Sequence, residues 1–256
     1  MRYFRDTMSR AAALLLLLLG GCHYYIEDDD DDDGSGSFAD AGWDDFSDGG
    51  GFFPDAQVGE CDAVALLPNG FVPVEQVSTG AVTNELDGDV FVTEIDATAG
   101  GAQGQTTNPF VYLDLLADDG AARVEIDDVA AFASTDWDLA IKRYVIRTNS
   151  GDSGPGGGGA DTIPSAELTF QGEAGDALAD DWTTADCQLL MDDVGGPRTR
   201  FSDWYEVMNG RFLPLAVTHV VRLRDGSHAE IDIDTYYADG SNPNRGGVYR
   251  LRWYRF

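Results

Sequence analysis

Four side chains in the second half of the chain carry atoms that can ligate a transition metal. His219 and His228 offer imidazole nitrogens, and Met191 and Met208 offer thioether sulfurs. Both groups are common axial ligands of protein-bound iron. A third histidine, His23, lies near the N-terminus, far from any predicted core. The chemistry therefore depends on which of the four residues the fold brings together.

The two internal histidines lie on either side of a predicted β-hairpin. Asp225-Gly226 separates two segments of alternating polarity, which favours a two-residue loop. Leu223 then pairs with His228, and His219 lies on the same face, roughly 13 Å from His228 at about 3.4 Å per residue. Two axial ligands of one iron need donor atoms only about 4 Å apart. We expect this pair not to clamp one iron, and a pairing of one histidine with a methionine stays open.

No catalytic motif accompanies these residues. Gly-x-Ser-x-Gly and His-Glu-x-x-His are both absent, and no nucleophile has a recognisable base beside it. Asp136 and Asp138 flank Trp137, but on one strand they share a face, whereas a hydrolase more plausibly draws its two carboxylates from different strands. We expect that the protein is not an enzyme.

The elements that must position the candidate ligands are strands. Alternation predicts strands over 89–96, 110–115, 122–126 and 137–146, with an Asp-Asp-Gly turn between the second and third. The most regular part is a three-stranded antiparallel meander over 214–256. Residues 176–191 are ambiguous and fit one short helix. The pattern predicts an all-β fold, a predominantly antiparallel sandwich or open barrel with long glycine-rich loops and at most one or two short helices.

The longest glycine-rich loop follows the strand predicted over 137–146. Asn149–Ala160 contains six glycines and one proline. Such a loop either lets another backbone or a ligand approach closely, or is simply flexible. It lacks the Gly-Lys-Ser/Thr ending of a phosphate-binding loop, and no helix follows it as a dinucleotide fold requires. Both nucleotide interpretations are excluded.

The N-terminus has the layout of a bacterial secretory signal. Basic residues precede Ala11–Leu19, an apolar run of nine residues, which is shorter than the about 20 that a membrane-spanning helix needs. Small residues before Cys22 resemble a lipobox, which implies a signal peptide over 1–21 and acylation of Cys22. Because His23 rather than Asp follows, the resemblance implies anchoring to the outer membrane, on the cell surface or the periplasmic face, through acyl chains.

A tether over 22–56 follows the lipobox. Residues 23–56 hold twelve acidic residues and no Lys or Arg, so the segment repels itself and is predicted to be disordered. The aspartate run lacks the spacing of a calcium-binding loop, which makes a solvated spacer the better interpretation.

The remaining domain, 57–256, is long enough for one substantial core. It holds 33 acidic and 13 basic residues and so carries a charge of −20, which argues against nucleic acid or anionic lipid headgroups as partners. Cys61 and Cys187 are its two cysteines. In the oxidising compartment that the signal implies, we expect them to form a disulfide, the alternative being two buried thiols.

Two parts of the domain resemble the HmuY family, whose best-described members are haem-binding outer-membrane lipoproteins. The resemblance covers about 64–256 and is strongest at 134–160 and 214–256. In the second region it rests on the Asp225-Gly226 turn, Tyr236-Tyr237 and the last strand. In the first it rests on Trp137, Asp138, Arg147, Thr148, Asn149, Gly151 and Gly154.

This resemblance implies an all-β, lipid-anchored surface protein that captures haem or another tetrapyrrole. The family's ligating histidines do not align with histidines of this chain, so two other functions stay open: the same fold binding a different ligand, and a structural lipoprotein without one. The candidate iron ligands also have plainer interpretations. His219 fits a strand residue packed beside aromatic rings, His228 an exposed polar residue, and the two methionines core packing.

Overall fold

A computed structural model describes residues 61–163, 176–238 and 245–256, apart from the side chains of 102 and 103. The predicted signal peptide, the acylated Cys22 and the acidic tether lie outside the described residues. Within the described ranges no helix is both long and apolar enough to cross a bilayer.

Strands dominate the described part of the chain. Two α-helices of four residues each interrupt them, α1 (Gly101–Gly104) and α2 (Asp128–Ala131), together with 3₁₀ turns at Val64–Leu66 and Gly151–Ser153. The strands are β1 (Val82–Asp87), β2 (Val90–Asp96), β3 (Val111–Asp114), β4 (Ala122–Val124), β5 (Leu139–Lys142), β6 (Val145–Thr148), β7 (Gly159–Ile163), β8 (Tyr205–Met208), β9 (Arg211–Pro214), β10 (Thr218–Arg222), β11 (His228–Tyr237) and β12 (Gly246–Arg255).

The strands form three antiparallel sheets. A six-stranded sheet has the order β1-β2-β12-β11-β10-β7, and a four-stranded sheet has the order β4-β3-β5-β6. The hairpin β8–β9 forms a separate two-stranded sheet. No sheet of the described residues closes into a barrel. The predicted all-β fold is confirmed, and so is the C-terminal meander of β10, β11 and β12.

Side chains from the two larger sheets share one hydrophobic core. Alternate residues of β12, Tyr249, Leu251 and Trp253, are almost fully buried and meet Leu139 and Ile141 of the four-stranded sheet in that core. The period-2 pattern of an antiparallel strand produces this burial, because successive side chains point to opposite faces. The two sheets therefore pack as an open sandwich.

A second core covers the outer face of the four-stranded sheet. There, Tyr112 and Ala140 pack against Phe71, Trp137 and Trp182 from the flanking segments. Both faces of β5 and β6 are consequently buried, and every residue of these two strands is inaccessible to solvent. The disulfide between Cys61 and Cys187 spans 126 residues and ties the start of the described chain to the segment that carries Trp182.

A buried carboxylate joins the two sheets. Asp138, just before β5, accepts hydrogen bonds from the backbone N–H groups of Leu115 (2.9 Å) and Arg224 (3.0 Å). The guanidinium of Arg224, in the β10–β11 loop, forms an ion pair with Asp138 and also donates to Asp114 at 2.7 Å. Because one partner belongs to each sheet, this network holds the edges of the sandwich together.

The strand predicted over 137–146 is in fact a hairpin. Lys142 of β5 pairs with Val145 of β6, and Arg143 adopts a positive φ of 53° in the turn between them. Trp137 precedes β5 and packs in the second core, not beside Leu139 as uninterrupted alternation predicts. Arg143 and its neighbour are not typical turn residues; the turn is held instead by long-range bonds from the Arg143 N–H to Ala97 and from the Tyr249 hydroxyl to the Arg143 carbonyl.

The β10–β11 loop is one residue longer than predicted. Leu223 donates its backbone N–H to Ser227 at 2.8 Å, and His228 pairs with Arg222 rather than with Leu223. Asp225 accepts hydrogen bonds from the N–H and the hydroxyl of Ser227, which stabilises the longer loop. A register shift of one residue moves each side chain to the opposite face of the sheet, so the predicted geometry of the two histidines is wrong.

The short helix considered for 176–191 does not form. The segment is extended and makes isolated bridges, Thr183 with Leu189 and, further on, Met191 with Pro197. Cys187 has a positive φ of 56°, a conformation incompatible with a continuous α-helix. The disulfide and the burial of Trp182 hold this segment against the second core.

Candidate functional site

The glycine-rich loop is packed against its own chain. Asn149 is buried, and its side-chain amide donates to the carbonyls of Ser134 and Trp137, both at 2.9 Å, and accepts from the N–H of Gly156 at 2.9 Å. A Cβ on Gly154 would lie 2.3 Å from the Asn149 side chain. These glycines therefore allow a close internal approach, and within the loop they leave no room for a ligand at Asn149.

A second buried carboxylate organises the start of this loop. Asp180 accepts hydrogen bonds from Thr148, through both its N–H (2.6 Å) and its hydroxyl (3.0 Å), and from the hydroxyl of Ser153 at 3.2 Å. Burial raises the pKa of Asp180, and these donors oppose that rise. Gly151, with φ +52°, lies where a Cβ would be 2.7 Å from the Asp180 carbonyl. Sequence reasoning did not identify Asp180 as a structural residue, because nothing in the sequence distinguishes it from its neighbour Asp181 and the many other acidic residues.

Arg147 is likewise an internal residue. Its guanidinium donates to the Tyr112 hydroxyl at 2.6 Å and lies 4.2 Å from the centre of the Phe110 ring. Asp128 accepts from that same hydroxyl at 2.9 Å. Nearby, burial lowers the pKa of Lys142 to about 8. The residues that carry the resemblance thus build the framework of the sandwich and do not line an open site.

His219 is enclosed in the protein. It is fully buried in β10, its ring stacks on Phe201 at 4.3 Å, and Nδ1 lies 3.3 Å from the Thr162 hydroxyl. Burial lowers the pKa of His219 to about 3, so the ring is neutral at physiological pH. His219 therefore matches the plainer interpretation, a strand residue packed beside an aromatic ring.

His228 is separated from His219 by the sheet itself. It begins β11, is half-buried, and its ring stacks on Phe256 with 5.7 Å between ring centres. In the observed register His228 pairs with Arg222, three residues from His219, so the two histidines point to opposite faces of the six-stranded sheet. They do not form a bis-histidine site in this register.

Both methionines are exposed, contrary to the interpretation as core packing. Met191 exposes 48% of its surface and Met208 exposes 49%. Met191 lies in the bridge with Pro197, and Met208 ends β8 immediately before the tight turn at Asn209 and Gly210, which both have positive φ. Two large apolar thioethers left in solvent are available to a ligand.

A groove lies between segment 191–198 and the chain from 202 to 207, and we call it the hairpin groove. Its volume is about 620 Å³, within the range of small-molecule sites. Its apolar wall includes Met191, Val194 and Val207, all exposed, and Tyr205 lies beside them. Met208 follows the lining residue Val207 directly in sequence. The groove thus presents apolar and aromatic surface with the exposed thioether of Met191 in its wall, whereas Met208 is not one of its lining residues.

The charges around the hairpin groove are mainly negative. Four carboxylates and a single cation, Arg198, line it. Asp192 is held in place, because it accepts from the N–H groups of Val194 and Gly196 and from the Tyr205 hydroxyl. Burial and the neighbouring Asp192 raise the pKa of Tyr205, which keeps its hydroxyl protonated. The remaining carboxylates are those of Asp193, Asp203 and Glu206.

The thioether sulfur of methionine determines which kind of metal centre the residues of the hairpin groove can bind. Among the described residues, no cluster of three or more His, Cys, Asp or Glu side chains is arranged to hold a metal ion. Thioethers suit a softer metal centre, of which haem iron with axial methionine is an established example. A flat macrocycle also suits an apolar wall with an adjacent tyrosine ring.

Comparisons with known proteins agree with the resemblance. A model of the family described as HmuY protein matches residues 106–248. A search of curated proteins finds no match to this chain.

Solved structures that resemble the chain include the following three bacterial proteins. A candidate lipoprotein from Bacteroides fragilis is 21% identical, with 66% of this chain and 91% of that chain covered and a TM-score of 0.40. A candidate HmuY-like haem-binding protein from Bacteroides vulgatus is 18% identical, with 64% and 91% covered and a TM-score of 0.41. The apo HmuY analogue of Tannerella forsythia is 19% identical, with 70% and 98% covered and a TM-score of 0.39.

The buried state of His219 predicts a specific pH dependence of stability. Between pH 6.5 and about 3 the unfolded chain protonates this ring and the folded protein does not, so acidification favours unfolding. His219→Phe removes this effect. From pH 7 to pH 5 we expect the free energy of unfolding of the variant to rise by about 2 kcal/mol relative to that of the natural protein. Urea unfolding followed by tryptophan fluorescence at both pH values measures the difference.

The comparison controls for other groups, because the buried carboxylates titrate in both proteins. A difference between the two proteins that is the same at pH 7 and pH 5 would show that His219 ionises equally in the folded and unfolded states.

Proposed function

The chain belongs to the HmuY family of binding proteins, and we propose that it is a lipid-anchored surface protein that captures haem in the hairpin groove. The observation that carries the proposal is the exposed thioether of Met191 in the wall of this groove, while His219 is enclosed and His228 lies elsewhere. After residue 21 Met191 and Met208 are the only two methionines, since the chain has four and the others are Met1 and Met8.

The residues of the groove fit haem in three respects. Its volume of about 620 Å³ is suitable for a small-molecule site. Met191 offers a sulfur donor in the groove wall, and the apolar wall would exclude water from one side of a flat ligand. When bound, the haem iron would supply a Lewis acid that accepts a thioether lone pair. Met191 would hold the iron, and Tyr205 would lie against the macrocycle.

Chain organisation supports placement at the cell surface. We assign residues 1–21 to a signal peptide, Cys22 to acylation and 22–56 to a spacer that holds the domain away from the membrane. Its repeated aspartates repel one another and extend the segment, which would leave the groove accessible from outside the outer membrane.

A second candidate function is capture of a ligand that has neither iron nor carboxylates. The observation that favours it is the acidic border of the groove, where Asp193, Asp203 and Glu206 repel the negative charge of haem propionates. This protein would keep the family fold and use the same apolar wall without metal ligation by Met191 or Met208.

Haem titration of a methionine variant separates the two functions. The chain without residues 1–21 and with Cys22→Ser is titrated with haemin, and the Soret band is followed. Met191→Leu keeps volume and apolarity but removes the sulfur in the groove wall, so we expect it to weaken haemin binding at least about tenfold. The matched control His228→Ala changes a potential ligand outside the groove and should leave the titration unchanged.

Two results of this titration would contradict the proposal. If Met191→Leu binds haemin as tightly as the natural protein, with the same spectrum, the Met191 sulfur does not ligate the iron. If micromolar haemin gives no Soret shift with the natural protein, the protein does not capture haem.

Acylation has its own test. In cells fed an alkyne-labelled fatty acid, we expect the full-length protein to carry the label and to sediment with the outer membrane. Cys22→Ser should remove the label and release the protein from the membrane fraction, because the acyl chains on Cys22 are the proposed anchor. Lipid anchoring at Cys22 would be contradicted if the natural protein failed to incorporate the labelled fatty acid. It would also be contradicted if the Cys22→Ser variant still sedimented with the membrane fraction.

A further inference from the structure

Strand β8 has one unpaired edge, and the hairpin groove lies beside it. Among the described residues β8 pairs only with β9. Three consecutive residues of β8, Tyr205, Glu206 and Val207, line the groove. Because successive side chains of a strand point to opposite faces, three lining residues in a row place the groove beside the strand and not over one of its faces. We call this side of β8 its free edge.

The turn after β8 determines which backbone groups lie along the free edge. Both residues of the turn have positive φ, as a type I′ turn requires, and in such a hairpin the flanking residues, Met208 and Arg211, bond to each other. Bonded pairs alternate with non-bonded pairs along antiparallel strands, so Glu206 is the next residue of β8 that bonds to β9. The N–H and C=O groups of Tyr205 and Val207 consequently point away from β9, to the free edge.

Two further hydrogen bonds agree with this alternation. The N–H of Leu215 donates to the carbonyl of Trp204 at 2.9 Å, which continues the bonded pairs beyond the hairpin. The N–H of Phe212, opposite Val207, points away from β8 and donates to the Tyr237 hydroxyl at 2.9 Å. The β9 side of the hairpin is thus held by β11, whereas the free edge of β8 is available to another chain.

Exposed apolar side chains border the free edge. Val207 exposes 49%, Met191 48% and Val194 36% of its surface, and all three line the groove. An unpaired strand edge is a template for pairing with another extended chain. In such complexes the main-chain hydrogen bonds supply affinity, and pockets for alternate side chains supply specificity. The groove combines the two features that strand addition requires.

The charges of the groove select the chain that can dock. Asp193, Asp203 and Glu206 line it, are exposed and form no ion pair among the described residues. These carboxylates repel the acidic segment over 23–56, and they repel a second copy of a domain that holds 33 acidic and 13 basic residues. Arginine and lysine side chains are complementary to them. The charge pattern therefore favours a basic segment of another protein.

We infer that the free edge of β8 and the hairpin groove bind an extended basic segment of another protein as an added β-strand. The inference names a ligand class for the second candidate function and rests on that function, not on haem capture. The backbone of the segment bonds to Tyr205 and Val207, its basic side chains meet the three carboxylates, and its apolar side chains lie against Met191. A docked segment covers the Met191 wall, so it excludes haem from the groove.

A pair of peptides that carry the same charge tests strand addition. The first is a short fluorescein-labelled peptide that alternates arginine and valine. The second has the same sequence with every backbone nitrogen methylated, so it keeps all side chains but has no N–H to donate. Each is titrated, without haemin and at physiological ionic strength, with the chain that lacks residues 1–21 and carries Cys22→Ser. By fluorescence anisotropy we expect the first peptide to bind at least about tenfold more tightly, because the second loses several main-chain hydrogen bonds.

Variants then assign binding of the first peptide to residues. Val207→Pro removes an N–H from the free edge, where proline is tolerated, and should weaken binding more than Val207→Ala, which keeps the N–H. Glu206→Gln and Asp193→Asn should each weaken binding several-fold. The matched control Glu75→Gln removes an exposed carboxylate outside the groove and should leave binding unchanged. Thermal unfolding of each variant verifies that it is folded.

Three results would overturn this inference. The first is equal affinity for the two peptides, which would show that main-chain pairing is not involved. The second is a loss of affinity in Glu75→Gln as large as in Glu206→Gln, which would show a general charge effect. The third is the same affinity in Val207→Pro as in Val207→Ala. None of these results bears on haem capture, because the Soret titration of Met191→Leu is measured without peptide and fails or succeeds independently.

Discussion

The register of the β10–β11 hairpin is the constraint on which the candidate chemistry depends. With Arg222 opposite His228, the two strands present His219 and His228 to opposite faces of the six-stranded sheet. His219 then occupies the interior, where it stacks on Phe201 and stays neutral. Because the two imidazoles cannot ligate one iron together in this register, the exposed thioethers are the strongest remaining candidates for iron ligation.

The glycine-rich loop has one of the roles that its composition suggests, because its glycines let the loop pack closely against its own chain. It encloses the Asn149 side chain and meets Asp180, while Asp138 nearby binds Arg224 from the other sheet. Buried polar groups of this kind need all their partners in place, because each unsatisfied group costs free energy. The residues that resemble the family therefore specify a framework, and the hairpin groove lies on segments outside that signature.

Much of the framework could be predicted from the sequence. The alternation of Tyr249, Leu251 and Trp253 indicates one buried face, and these side chains do form the core of the sandwich. The disulfide between Cys61 and Cys187 was predicted from the two cysteines after Cys22, together with the oxidising compartment that the predicted signal peptide implies. Local periodicity was sufficient to predict the buried face of this strand, because the chain repeats the same simple pattern over several residues. The cysteine count was sufficient for the disulfide.

The remaining features depend on contacts between distant residues. The turn at Arg143 is held by Ala97 and Tyr249, and no local turn signal marks it. Asp180 has no feature that distinguishes it in a domain with 33 acidic residues. The exposure of Met191 and Met208 was also unpredictable, because an isolated methionine has no periodic pattern and is commonly found in cores.

Methyl NMR of the two methionines tests the central claim most directly. The chain without residues 1–21 contains only Met191 and Met208, so ¹³C-methyl labelling gives two assignable signals. If the Met191 thioether ligates haem iron, stoichiometric reduced haem will move its signal strongly and leave that of Met208 near its position, because only the Met191 methyl then lies over the macrocycle and within its ring current. If the Met191 signal also keeps its position while haem binds, this thioether is not a ligand and the account of the hairpin groove is wrong.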